Sequence, residues 1–247
     1  MAGLLSDILA ARGGGALLVV AAPSEAGAVL KALDADASLR DRFWERLTLA
    51  DGIDLVITGV GKANAAGATA RVLDLARDRV VVSLGVGGAL PDSGVRIGQV
   101  VLGAKSVFAD EGLEAEAGFR TSESMGFPAR LGPGGVVGGR MGVAADADLL
   151  AALRPIADRE AVVATVSTCA GTDARAMAVI ARTGAAVEAM EGAAVGVAAA
   201  NCAAAGGASA PAFVEIRVVS NTTGDRARQR WDLAGALAGV ERIGGAL

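Results

Sequence analysis

The chain has no histidine and no tyrosine among its 247 residues. Without histidine, a Ser-His-Asp triad and a His-ligated zinc site are excluded. Acid–base chemistry must rest on carboxylates, lysine or cysteine. Only two cysteines are present, Cys169 and Cys202, and they form neither a CxxC pair nor a metal-ligand spacing. They read as buried free thiols of a reducing cytoplasm. No lysine- or arginine-rich block occurs, and 23 basic against 27 acidic residues leave a net charge of −4. That balance argues against a nucleic-acid backbone as partner. A strong membrane segment is missing too. The apolar run from Ala16 to Ala22 is short and follows Arg12 too late for a signal peptide. The uncharged stretch from Gly192 to Val214 is mostly Ala and Gly, with Asn201, Ser209 and Pro211 inside it. It is too weakly hydrophobic for a span, and reads as a buried helix, a loop and the start of a strand.

What is present is a large apolar fraction, 53% of the residues, enough for a substantial core. Short apolar runs alternate with helical patterns. Leu17–Val20, Leu55–Ile57, Val80–Val82 and Ala161–Val166 read as strands. Helical spacing follows at Ala26, Val29, Leu30 and Leu33, at Ala65, Ala68, Val72 and Leu75, and over Thr172–Ala181. Val95–Val107 reads as extended chain kinked at Gly98, and Leu4, Leu5 and Ile8 as a short capping helix. This alternation predicts an α/β fold: three layers, with a central, largely parallel mixed sheet flanked by helices. One domain spans 1–247, with 1–14 as an N-terminal extension. Residues 112–145, rich in Gly and Pro, read as loops and lids.

Phe213–Asn221 is an apolar strand ending on Ser220-Asn221, followed by a turn at 222–225 and a helix expected near Arg226. Polar side chains at the C-terminal end of such a strand are where open α/β sheets bind small molecules. Met190-Glu191-Gly192 opens another helix. A Glu there suits the helix dipole, and held by helix-end amides it can also chelate vicinal hydroxyls beside the soft face of Met190. Glu188, three residues earlier, could cap equally well, and Glu191 is preferred because it follows Met190 directly. Asn221 suits a turn, but its amide also carries both donors and an acceptor, matching a 6-oxopurine. Ser220 stands where it can orient that amide. Glu25, in Pro23-Ser24-Glu25, opens a helix after the first strand. Gly59-Val60-Gly61-Lys62 lacks the third glycine of a dinucleotide loop and the Ser/Thr of a P-loop, so it reads as a close-packed turn. Gly85-Val86-Gly87-Gly88 reads first as a tight turn that also lets backbone approach a ligand.

Together these segments resemble the purine nucleoside phosphorylase and nucleosidase superfamily. Asn221, the following Thr-Thr-Gly-Asp-Arg and Arg230-Trp231-Asp232-Leu233 resemble in particular the futalosine hydrolases. The resemblance implies that Glu25 and Asn221 are catalytic: Glu25 activates water, and Asn221 stabilises the leaving purine. It implies substrate binding by Gly87, Gly88, Phe108, Met190, Glu191, Arg217 and Ser220, with Glu191 on the ribose hydroxyls. Related phosphorylases hold a phosphate-clamping Arg just before the glycine turn, where this chain has Ser83. Water is therefore the expected nucleophile. Phe108–Gly112, Gly118-Phe119-Arg120 and Gly126-Phe127-Pro128 are similar to segments that close over the 5′ end of the nucleoside. The implied protein is a cytoplasmic homo-oligomer, a homodimer or larger, acting on a small nucleoside with no metal and no organic cofactor required. The rivals are a methylthioadenosine-type nucleosidase, a purine phosphorylase, and a non-catalytic nucleoside-binding protein on the same fold.

Overall fold

The computed structural model describes residues 4–50, 52–127, 131–132, 135–136 and 142–247. In chain order the elements are α1 (Leu4–Arg12), β1 (Gly15–Val20), α2 (Pro23–Ala32), β2 (Leu47–Ala50), β3 (Ile53–Ile57) and α3 (Lys62–Val72). Then follow β4 (Asp78–Ala89), β5 (Val100–Phe108), β6 (Gly112–Ala115), β7 (Gly118–Thr121), β8 (Leu131–Gly132), β9 (Gly135–Val136) and β10 (Gly142–Ala144). The C-terminal part holds α4 (Ala147–Leu153), β11 (Arg159–Thr165), α5 (Asp173–Thr183), β12 (Val187–Ala189), α6 (Gly192–Ala205), β13 (Ala212–Thr222) and α7 (Leu233–Ala246).

A nine-stranded mixed sheet organises the chain. Its hydrophobic parallel strand β1 lies between β3 and β4, both parallel to it. Every residue of β1 is buried, because both faces are covered. Side chains alternate across the sheet. Leu18 and Val20 join Val29, Leu30, Val240 and Ile243 under α2 and α7. Leu17 and Val19 join Ala65, Ala68, Ala193 and Val197 under α3 and α6. The Ala- and Gly-rich α6 is buried almost all round, as its lack of charge predicts. At Gly196 an added Cβ would lie 2.4 Å from Val143 Cγ1, so the helix approaches closer than a side chain allows. None of the described helices is long and apolar enough to cross a membrane.

One end of the sheet curls shut. β13 pairs parallel with β4 and antiparallel with β5. β5 pairs with β11, β11 with β12, and β12 returns antiparallel to β4. This ring brings the ends of β4, β12 and β13 together.

Three expectations need correction. The segment after β13 is not helical from Arg226: α7 starts at Leu233, where the Asp232 side chain accepts from Gly235 N–H at 2.8 Å. That Asp N-cap is the local start signal, and it outweighs the helix-compatible residues before it. Residues 112–121, expected as loop, form the hairpin β6–β7. Its strands are largely exposed and carry no buried alternation to read. Residues 128–130, 133–134 and 137–141 of the expected lid, Pro128 included, lie outside the described residues. Gly85–Gly88 is not a tight turn but part of β4. As for the N-terminal extension, α1 packs into the core: Leu5 is fully buried and its N–H donates to Leu247 O.

Candidate active site

A cavity of about 420 Å³ opens where β4, β12 and β13 end. Glu25, Gly87, Gly88, Met190, Glu191, Ser220 and Asn221 all border it. Sequence-expected residues from four separate segments thus meet in one place.

Glu25 is buried, and its carboxylate sits in a cradle of backbone donors. Oε2 accepts from Ala21 N–H and Ala22 N–H, each at 3.0 Å. Oε1 accepts from Val86 N–H at 2.8 Å. The Ala22 bond is the helix-capping role expected of an acid at this place. The capping oxygen is fully committed, whereas Oε1 keeps a free lone pair. Gly85 makes room for this arrangement, since a Cβ there would lie 2.5 Å from Glu25 Oε1 and 2.4 Å from Arg217 Nη1.

Glu191 precedes α6 and is also buried. Its Oε1 accepts from Gly61 N–H at 3.0 Å, and its Oε2 from Met190 N–H at 3.2 Å. The Gly59–Lys62 turn is therefore more than close packing. Gly61 has φ 98°, a conformation that aims its N–H at the carboxylate and favours glycine. Burial pushes the Glu191 carboxyl above the usual carboxylate range, with Arg217 pulling the other way and Glu25 adding to the rise.

Arg217 and Phe108 do not line this cavity, contrary to expectation. Arg217 is 1% exposed and lies behind the wall. Its Nε donates to Glu215 Oε1 at 2.8 Å, its Nη2 to Ser83 Oγ at 2.9 Å, and Glu191 Oε2 lies 3.6 Å from Nη2. Burial works against the charge, but Glu215, Glu191 and Glu25 outweigh it and hold the guanidinium above its usual range. Glu215 in turn accepts from Ser106 Oγ and fits under the start of α6. A Cβ at Gly192 would lie 2.0 Å from its carboxylate, which explains the glycine after Met-Glu. Ser83 thus does not mark a missing cation: a guanidinium reaches that place from β13, committed to carboxylates. Phe108 ends β5, faces a separate cavity with Phe119 and Arg182, and lies under Lys62 Nζ at 5.1 Å. Lys62 pairs with Asp110 at 2.5 Å and Glu111 at 3.4 Å.

Asn221 is held from both sides. Ser220 Oγ donates to its Oδ1 at 2.8 Å, and its Nδ2 donates to Thr222 O at 3.0 Å. One Nδ2 hydrogen remains for a ligand, so the amide cannot use both of its donors on a purine without releasing Thr222.

The sequence reading missed several walls. Arg226, Gln229 and Trp231 line the cavity from the segment misread as helix. Gln229 ties that segment down through Ala170 O and Gly224 O, and Arg226 stacks over Trp231 at 5.0 Å. Cys169 is exposed at the cavity rather than buried. Desolvation, with Glu188, Glu191 and Asp110 opposing the charged form, pushes its thiol up to about 11. It is a thiol at neutral pH and no nucleophile.

Known proteins share this architecture and more. The phosphorylase superfamily model matches residues 17–242. A futalosine hydrolase of Streptomyces coelicolor is 36% identical over 234 residues, covering 91% of each chain. A futalosine hydrolase of Acidothermus cellulolyticus is 32% identical, covering 94% of this chain and 89% of that one. Among solved structures, a futalosine hydrolase mutant of Helicobacter pylori superposes with TM-score 0.66 at 18% identity, over 93% of this chain and 96% of that one. A 5′-methylthioadenosine/S-adenosyl homocysteine nucleosidase of Campylobacter jejuni gives TM-score 0.66 at 17% identity, over 94% and 96%. At such identities the structures speak for the fold alone. The family match over most of the chain, with curated relatives above 30% identity along nearly their whole length, carries the assignment: this chain belongs to the phosphorylase superfamily.

Proposed function

We propose that this protein hydrolyses the N-glycosidic bond of futalosine, releasing hypoxanthine and leaving dehypoxanthine futalosine, within menaquinone biosynthesis. The observation that carries the reading is the convergence of Glu25, Glu191 and Asn221 on one cavity. Its relatives' names supply the substrate.

The bond breaks through an oxocarbenium-like state, with the C1′–N9 electron pair leaving on the purine. Asn221 offers its free amide hydrogen to the charge developing there. Glu191, fixed by Gly61 and Met190, holds the ribose hydroxyls. Water attacks C1′ and gives a proton to Oε1 of Glu25, the oxygen with a free lone pair; Glu25 then returns a proton to solvent and the purine anion takes one up, giving neutral hypoxanthine. Arg217 is a positioning residue that, held by Glu215 and Ser83, sets a counter-charge 3.6 Å behind Glu191. Water rather than phosphate is the nucleophile. A phosphate dianion needs charge-assisted donors, and the guanidinium near Ser83 is buried and committed to Glu215. The open Oε1 of Glu25 favours catalysis over passive nucleoside binding. In this reading the protein works in the cytoplasm as a homo-oligomer.

The test is hypoxanthine release from futalosine, followed with and without added phosphate. The expected rates are equal. A rate that needs phosphate, with a sugar 1-phosphate as product, contradicts the hydrolase.

A further inference from the structure

We infer that Glu188 is a second base-reading residue, donating a hydrogen bond from Oε2 to the purine edge across from Asn221. This deepens the futalosine reading and rests on it for the identity of the base.

Glu188 is 4% exposed and borders the cavity. Its Oε1 accepts from Ala170 N–H at 2.9 Å. Its Oε2 is buried with no hydrogen-bond partner, one of only two such side-chain atoms among the described residues. A buried polar atom left without a partner costs stability, so one carried by a residue that borders a ligand cavity is poised for the ligand.

The strand register says where that ligand lies. Gly88 of β4 pairs with Glu188 on one side and with Asn221 on the other. Residues paired across neighbouring strands project to the same face, and two strand spacings separate the outer pair by roughly 10 Å. Between them stands a glycine. A Cβ on Gly88 would come within 3.0 Å of Asn221 Nδ2 and 2.6 Å of Thr223 Cγ2. The glycine therefore lets the Asn221 amide and the Thr223 methyl lean over β4, which a side chain there would prevent.

Which way the hydrogen bond runs follows from the surroundings. Burial pushes the Glu188 carboxyl above the usual carboxylate range. The Ala170 N–H and Arg175 of α5 pull it back, and Asp110 adds to the rise. Cys169, Glu191 and Arg226 also border the cavity. A purine acceptor lying against the unpartnered Oε2 favours the protonated carboxyl, and because Oε1 already accepts from backbone the hydrogen sits on Oε2. Asn221 has one amide hydrogen to give, and a 6-oxopurine offers more acceptors than that. Glu188 supplies the second donor.

Glutamine tests this directly, because its amide copies a neutral carboxyl: the carbonyl accepts from Ala170 while the NH₂ donates from the Oε2 position. Hypoxanthine affinity is measured by titration calorimetry for wild type, Glu188→Gln and Glu188→Leu, with thermal unfolding alongside. The expected Gln variant binds hypoxanthine within about threefold of wild type, while Leu weakens it on the order of tenfold or more. A Gln variant as weak as Leu would mean that Glu188 accepts rather than donates, and overturns the inference. So does a folded Leu variant with wild-type affinity. If Leu fails to fold, Gln alone decides: a loss of about tenfold refutes. Base binding is read without futalosine. Wild-type protein inert towards futalosine would therefore sink the substrate reading and still leave Glu188 judged.

Discussion

Replacing Glu25 with Gln separates its two roles. Two backbone donors converge on Oε2 and one on Oε1. Glutamine can meet Ala21 and Ala22 with its carbonyl oxygen, but its NH₂ then faces Val86 N–H, donor against donor. Turning the amide over makes two such clashes instead of one. One unmade buried hydrogen bond costs about 1–3 kcal/mol. For a domain of this size that lowers the melting temperature by roughly 2–4 °C per kcal/mol. The catalytic loss is separate and larger. An amide takes no proton from water, so kcat for futalosine should fall by about two to four powers of ten, the usual worth of a general base. Hypoxanthine affinity should stay near wild type, because Asn221, not Glu25, meets the base in this account. The assays are steady-state kinetics, thermal unfolding and calorimetry on the same preparation. A Gln variant with near-wild-type kcat would refute the role and return Glu25 to helix capping alone.

Other outcomes follow from the same geometry. Arg217→Met strands Glu215 and leaves Glu191 without its counter-charge, so chemical denaturation should register a loss of about 3–5 kcal/mol. A loss below 1 kcal/mol would mean that the buried network is not held by that guanidinium. Asn221→Asp should narrow the preference for futalosine over its 6-amino analogue, read as the ratio of kcat/KM values. A protonated carboxyl can donate to N7 while its other oxygen accepts from the amino group, and an unchanged ratio would show that residue 221 does not read the base. Glu188 and Glu191 both lie above the ordinary value of 4.5 in the folded state. The folded protein then binds more protons than the unfolded chain, so their contribution is complete below about pH 4.5 and is lost as pH rises through the raised values. Glu188→Gln should shrink the fall in stability that sets in as pH rises above about 4.5, and an equal fall in both proteins would contradict the assignment.

Much of this architecture is legible in the sequence because burial dictates it. Leu17–Val20 and Phe213–Asn221 are apolar strands covered on both faces, and Gly192–Ala205 is a helix with nothing charged to show solvent. The site is legible where a residue's place on a strand or helix end fixes its direction, as for Glu25, Glu191 and Asn221. It is not legible where direction depends on long-range pairing. Arg217 could face cavity or interior, and only Glu215 beside it with Ser83 across the sheet turns it inward. Glu188 looks like a spare helix cap until β12 pairs with β4 and sets it opposite Asn221 across Gly88. Arg226, Gln229 and Trp231 disappear into a false helix, although Asp232 already marks where the true one starts.

The central claim is tested most directly by competition. Futalosine, inosine and 5′-methylthioadenosine at equal concentration are offered together in phosphate buffer, and the products are identified by mass spectrometry. The account predicts that hypoxanthine and dehypoxanthine futalosine accumulate alone. Accumulation of methylthioribose, or of any sugar 1-phosphate, would contradict it.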